Sequence, residues 1–207
     1  LVELAKAFSG RHGMFSAFEM VESKEERLIK DQRHFSTSGR KDELIIHQHK
    51  CRDIYNGMDE ISRIYGFSGI EPNTILMGWS RNPENREPFL RNLKNFEESE
   101  FNSIMLWYNS SRKFGEKRTI DVWWSGWGSN LVFSIFLLRH FTTSGDWKDA
   151  HIRLLVVNRQ QDRTETIYKK LQQIINQYRI NFEIKIVNNT IDRLPKNEII
   201  CRESAGI

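Results

Sequence analysis

Cysteine is nearly missing from this 207-residue chain: Cys51 and Cys201 are its two, far apart, and neither stands in a C-x-x-C. A disulfide framework is thereby excluded, and a reducing compartment fits the composition better. Runs of one charge are missing too, with no five like charges in a row. The 31 Lys and Arg face 27 Asp and Glu, for a net charge of +4 and a pI of about 9.1. That balance describes a mixed, mildly basic surface rather than a nucleic-acid interface. Long apolar runs are also lacking. The longest apolar stretch, Leu131 to Leu138, falls far short of the roughly 20 residues that span a bilayer. Leu1 opens amphipathic sequence, not a charged segment followed by an apolar core, so no signal peptide is read. The expectation is a soluble chain with no direct membrane insertion of its own.

The usual marks of catalysis are absent as well. There is no G-x-S-x-G elbow and no H-E-x-x-H. Asp and Glu are scattered along helix faces, where solvated ion pairs are their ordinary use. His47 and His49 share one side of a strand, because side chains alternate with period two. Cys51 is the one near candidate for a third zinc ligand, and local spacing offers no fourth. Half-exposed surface histidines are the better reading. No catalytic residue and no metal site is assigned.

What is present is enough apolar material to fold: 39% hydrophobic residues and 12% aromatics. Leu1, Leu4, Ala5 and Phe8 form the stripe of an amphipathic helix that ends at Ser9-Gly10. Met14 to Val21 reads as a strand. A helix feeding a strand at the start predicts that an opening strand of the first lobe lies outside the chain. Ser23 to Glu43 is charged and helix-compatible, with a break at Ser36 to Gly39, and a short strand, Leu44 to His49, follows. A helix from Asp53 to Tyr65 carries Ile54, Met58, Ile61 and Tyr65 on one face, with Gly66 placed to cap it. Thr74 to Met77 is a buried-type strand, Pro83 to Glu100 a helix, and Ser103 to Tyr108 a further strand.

Asn109 to Arg118 is polar and aperiodic, which makes it the linker. The pattern then restarts: strand Ile120 to Trp124, helix Asn130 to Thr143, strand Ile152 to Val157, helix Arg163 to Arg179, strand Phe182 to Val187. In the last helix Ile167, Leu171, Ile174, Ile175 and Tyr178 make the buried stripe. The tail from Asn188 is polar and reads as loosely ordered. Strands alternating with helices predict an α/β fold of two tandem lobes, residues 1–108 and 119–207, joined by linker 109–118. Their sheets are expected to be mainly parallel, flanked by helices, with right-handed crossovers.

Two glycine turns stand where parallel strands meet helices. Gly126 and Gly128 supply the first two glycines of G-x-G-x-x-G, but Leu131 takes the third place. Asn158-Arg159 stands where an acid should end the next strand, so a dinucleotide fingerprint fails on two parts. A looser role survives, in which the backbone from Gly128 to Asn130 and the Ser129 hydroxyl hold an anion at a helix N-terminus. The plainer reading has Ser129 capping a buried helix. The second turn, Gly78-Trp79-Ser80-Arg81, offers Gly78, Ser80 and Arg81 for the same purpose. Trp123 and Trp124 should face opposite sides of their sheet, each under a different helix layer. Trp127, in the turn, has no evident core and suits an interface.

Three stretches, Glu71–Trp79 (EPNTILMGW), Thr119–Trp124 (TIDVWW) and Asp146–Val157 (DWKDAHIRLLVV), carry a likeness. In that order, and with the opening helix and strand, they resemble the C-terminal region of the cation–chloride cotransporters. That family contains the sodium–potassium–chloride and potassium–chloride symporters. The resemblance covers most of the chain. It implies a cytosolic regulatory domain of a transporter of the amino acid–polyamine–organocation type. The implied fold is two lobes like universal stress proteins, Rossmann-like in plan, often mediating homodimer contact. The implied partners are the transporter's own transmembrane domain and a second copy, at the cytoplasmic face of the plasma membrane, with no cofactor and no catalysis. Ion-binding residues would lie in membrane helices outside this chain. Ser125-Gly126-Trp127-Gly128-Ser129-Asn130 departs from the acidic-acidic-glycine-glycine turn usual in the family, and Asn109–Arg118 is far shorter than the phosphorylatable insertions of animal relatives. The alternative function is a nucleotide-sensing module of the stress-protein kind, with ATP or a related anion at Gly78–Arg81 or Gly126–Asn130.

Overall fold

The computed structural model describes residues 1–9, 14–23, 32–35, 44–65, 71–125, 130–143 and 145–204, the side chains of 9, 32–35, 44, 45 and 161 set aside. The chain divides into two units, Leu1–Lys6 with Met14–Tyr108 and Ala7–Gly13 with Asn109–Ile207. Helix α1 (Val2–Ser9) contributes to both. Within the second unit, Phe8 meets Phe141 edge to face, with ring centroids 4.7 Å apart.

In the first unit, β1 (Ala17–Glu22) and β3 (Leu44–Cys51) pair in parallel, and β2 (Gln32–Phe35) pairs antiparallel with the far edge of β3. Strand β2 corrects the helix expected across Ser23–Glu43. Its charged composition suits helical i,i+4 pairs, but a short edge strand takes its stability from the ladder it joins, which local sequence does not display. The flanking residues 24–31 and 36–43, and Gly66, lie outside the described residues.

Asp53 starts α2 (Ile54–Ile64) by accepting from Tyr55 N at 2.7 Å and Asn56 N at 3.2 Å. The buried face of α2 is centred on Gly57 and Ile61, while Ile54 and Tyr65 of the expected stripe are exposed. Gly57 explains the rotation. A Cβ there would stand 2.7 Å from Cys51 Cβ, so only glycine lets α2 approach β3 this closely. Strands β4 (Thr74–Gly78) and β5 (Asn102–Leu106) pair in parallel and are connected by α3 (Arg86–Glu98). Pro83 opens a single 3-10 turn before α3, with Asn82 accepting from Glu84 N. Met77, Phe89 and Phe96 form the core of this part, joined by Tyr55, Met58, Ile75, Leu93 and Phe101.

The second unit begins with a turn at Asn109, whose side-chain oxygen accepts from Ser111 N, Ser111 Oγ and Arg112 N. Its sheet is all parallel in the order β6 (Thr119–Trp124), β7 (His151–Asn158), β8 (Glu183–Asn188). Helices α4 (Asn130–Phe141) and α5 (Thr164–Tyr178) cover one face. Leu131, Ile135 and Leu138 of α4 and Leu171 and Ile175 of α5 pack with Ile152, Leu154 and Val156 of β7. The expected stripe of α5 is the observed one. Burial of β7 on both faces accounts for its near-continuous apolar run, with Leu154 and Leu155, on opposite sides, both fully buried.

The tail expected to be loosely ordered instead forms α6 (Lys196–Glu203), with Ile199 fully buried. Two adjacent isoleucines, of which only Ile199 is buried, give almost no periodic signal in this octet, and the helix takes its place through polar contacts. Trp123 and Trp124 diverge as alternation requires. Trp124 joins the core under α4 and α5, and Trp123 Nε1 donates to Ser204 Oγ at 3.0 Å, just after α6.

Candidate functional site

Strand β4 delivers Gly78, Ser80 and Arg81 to its carboxyl end, beside the end of β5. Trp79 N donates to Leu106 O at 2.9 Å, which prolongs the ladder by one residue. The space around Gly78 is open, since a Cβ there would meet nothing within 4 Å. Ser80 Oγ accepts from Tyr55 Oη at 3.3 Å. The Arg81 guanidinium lies 4.9 Å from the Trp107 ring centroid and donates to Tyr108 O. An anion at this end would therefore have to draw Arg81 away from a cation–π contact and a carbonyl. What the loop presents to solvent is aromatic: Trp107 is 65% exposed and Trp79 46%, with Tyr108 and Met105 beside them.

Of the second turn, Gly126, Gly128 and Ser129, with Trp127, lie outside the described residues. Asn130 is the first residue of α4, and its carbonyl accepts from Ser134 Oγ at 2.8 Å. Asn158, standing where a dinucleotide site would hold an acid, is buried in a closed polar network. Its Nδ2 donates to Thr164 Oγ1 at 2.9 Å and Asn188 Oδ1 at 3.1 Å, and its Oδ1 accepts from Gln160 N at 3.0 Å. Thr164 Oγ1 also donates to Asn188 Oδ1. These amides and the hydroxyl satisfy one another and fix the connection from β7 to α5.

His47 stacks on Phe18, its register partner across β1 and β3, at 5.2 Å between centroids. His49 Nε2 lies 3.5 Å from Glu60 Oε2. Among the described residues no group of three or more His, Cys, Asp and Glu side chains is placed to hold a metal ion. Burial, and then the negative charges of Asp53, Glu60 and Glu22, push the Cys51 thiol up, away from the reactive thiolate.

Two groupings escaped sequence reading. Asp121 and Arg153, register partners on β6 and β7, join in a fork of two 2.7 Å bonds. Arg153 Nη2 also donates to Glu203 O at 3.1 Å, and Lys185 Nζ lies 2.8 Å from Glu203 Oε2. The hydrogen bond to Asp121 holds the Arg153 guanidinium above its usual range. Bonds from Lys185 and Arg202 hold the Glu203 carboxyl below the usual carboxylate range. One charge inside each of two apolar strands was the available signal. The other grouping is a cavity at the amino end of β7, whose cations come from three separate parts of the sequence.

Among the described residues no helix is long and apolar enough to cross a membrane. No family profile matches the chain. Over 181 residues the chain is 25% identical to Potassium/chloride cotransporter 3 of Caenorhabditis elegans, covering 84% of this chain and 16% of that protein. Its fold is similar to the crystal structure of the cytoplasmic domain of a prokaryotic cation chloride cotransporter, with a TM-score of 0.55 and 11% identity. That likeness covers 70% of this chain and 57% of the other. The chain is thus similar in sequence to a stretch of one cation–chloride cotransporter and similar in fold to the cytoplasmic domain of another.

Proposed function

We propose that this chain is the cytosolic C-terminal regulatory and dimerisation domain of a secondary active cation–chloride symporter, with no catalytic role of its own. One observation carries the reading: most of the chain aligns with a small part of a much longer potassium/chloride cotransporter. The fold likeness to a cotransporter's cytoplasmic domain supports the placement at the cytoplasmic face of the cell membrane. Potassium, sodium and chloride would move through transmembrane segments of the parent protein, and this domain would set how readily they do so. The exposed Trp79, Met105, Trp107 and Tyr108 at the end of β4 and β5 suit contact with a second copy, since aromatic residues and Met are enriched in interfaces.

The test is made in the parent transporter. Trp79→Ser with Trp107→Ser should leave the protein at the cell surface, reduce cross-linked dimer and change chloride-dependent rubidium uptake. Deleting the stretch that corresponds to this chain should change uptake more. Unaltered dimer and uptake in both variants would remove the regulatory and dimerisation roles.

A further inference from the structure

The amino end of β7, far along the strand from the ends where open α/β sheets usually hold ligands, borders a cavity of about 470 Å³ within the second unit. Arg139 and Thr142 reach it from the end of α4, Lys148 and Asp149 from the loop before β7, and Arg179 from the end of α5. His151 lines it as well, but its Nε2 is already tied to Glu183 Oε2 at 2.6 Å.

The cations here differ from six others of this unit. Lys117, Arg118, Arg153, Lys169, Lys185 and Arg202 each have a carboxylate partner. Arg139, Lys148 and Arg179 make no ion pair with any described residue, and Asp149 is the one carboxylate on the cavity wall. Cations at helix C-termini ordinarily answer the helix dipole and its open carbonyls. Here those carbonyls are taken by other groups. Thr142 and Thr143 hydroxyls donate to Leu138 O, Arg139 O and His140 O. The backbone N–H groups of Arg179 and Ile180 cap Asn176 O and Ile175 O. Arg179 moreover sits in the left-handed region at φ 53 and ψ 46, where glycine or asparagine is the easier residue. The guanidinium donors of Arg139 and Arg179, both exposed residues, are thus open to solvent and to an anion that enters the cavity.

The wall also limits what that is. Ala150, Ile152 and Ile180 are its apolar residues, and no Phe, Tyr or Trp lines it. Among the described residues a nucleobase would find only the His151 imidazole, already tied to Glu183, as an aromatic platform. Three cations on one concave wall instead match a compact ligand with several oxyanions. Asp149 can accept from a ligand hydroxyl, and the volume falls in the small-molecule range of about 300–1,000 Å³. We propose that this cavity binds a small phosphorylated polyol through Arg139, Lys148 and Arg179, with Asp149 on its hydroxyls. The proposal goes beyond the transporter-domain reading and does not depend on it.

Calorimetric titration of the 207-residue chain at low salt, with inositol trisphosphate and with inorganic pyrophosphate, tests it. Saturable binding of one equivalent of inositol trisphosphate is expected, tighter than that of pyrophosphate, which has no hydroxyls for Asp149. Arg139→Gln, Lys148→Gln and Arg179→Asn should each weaken it about tenfold, whereas Lys169→Gln, at a paired site on α5, should not. Thermal unfolding checks each variant, and Lys148→Gln lies outside any helix, so folding defects and lost binding separate. Sedimentation with phosphatidylcholine vesicles, with and without phosphatidylinositol bisphosphate, distinguishes the source. Capture on the doped vesicles that Lys148→Gln abolishes assigns a lipid headgroup, and soluble binding alone assigns a free metabolite. No saturable heat at millimolar ligand overturns the proposal, as does undiminished binding in the triple variant.

Discussion

Replacing Arg153 by Met is the sharpest test of how the second unit is held together. The guanidinium is 16% exposed and its partner carboxylate, Asp121, 10%, so both charges are largely out of water. Two 2.7 Å bonds join them, and a third reaches Glu203 O on α6. Arg153→Met removes the positive member and takes both bonds of the fork from Asp121, in the packed layer under α6. Breaking a buried pair in this way costs about 3–5 kcal/mol. With a urea slope of about 2 kcal/mol per molar, the midpoint of the second unit's transition should fall by roughly 2 M. Tryptophan fluorescence and circular dichroism would follow it, since Trp123 contacts the residue after α6. The double variant Asp121→Leu, Arg153→Met should recover most of the loss, because two apolar side chains replace the pair without stranding a charge. A single variant costing under about 1 kcal/mol would mean the pair behaves as a solvated surface contact. A double variant as unstable as the single would equally refute the reasoning.

Gly57→Ala should destabilise the first unit by about 1–2 kcal/mol in chemical denaturation, the clash with Cys51 outweighing a helix-propensity gain of about 1 kcal/mol. Gly78→Ala, with open space around it, should stay within about 0.5 kcal/mol of the parent, which makes it the matched control. Cys201 is exposed and Cys51 only partly so, with its thiol pushed up by burial. A disulfide reagent at neutral pH should therefore label Cys201 first, and equal rates would contradict the packing of α2 on β3. Glu203 titrates below the usual carboxylate range because Lys185 and Arg202 bond its charged form. Its contribution is complete above the unfolded pKa and is lost as pH falls through the lower folded one. Hydrogen exchange across 196–203 should accelerate in that acid range, and Glu203→Gln should flatten the response.

Legibility in the sequence followed how local each signal was. The elements of the second unit were readable to within a residue or two because β7 and the α5 stripe repeat apolar residues with clear periods. Helix α6 was not, since Ile199 alone is buried and its other ties are to Arg153, Lys185 and Trp123, distant in sequence. Strand β2 hid for a related reason: its pairing belongs to β3, and it lies inside a charged stretch of sequence that passes for helix. The stripe assigned to α2 was rotated because hydrophobicity says nothing of Gly57, whose value is its lack of a side chain. Gly78, Ser80 and Arg81 were correctly placed at a strand's carboxyl end, but that Arg81 turns to Trp107 depends on β5 lying beside β4. The cations of the amino-end cavity carry no shared spacing at all.

The Asp121–Arg153 fork bears on how the unit finds its fold. Strands β6 and β7 are joined by a long crossover, so no tight turn dictates which residue pairs with which. Sliding β6 by one position would send Asp121 toward the apolar layer of α4 and α5 and leave Arg153 behind, two separated charges in place of one pair. Breaking the pair alone would cost about 3–5 kcal/mol, a large share of the roughly 5–15 kcal/mol that holds a typical domain together. The two charges thus act as a key between strands that hydrophobicity alone would let slip, and their main effect is on which alternative the chain rejects.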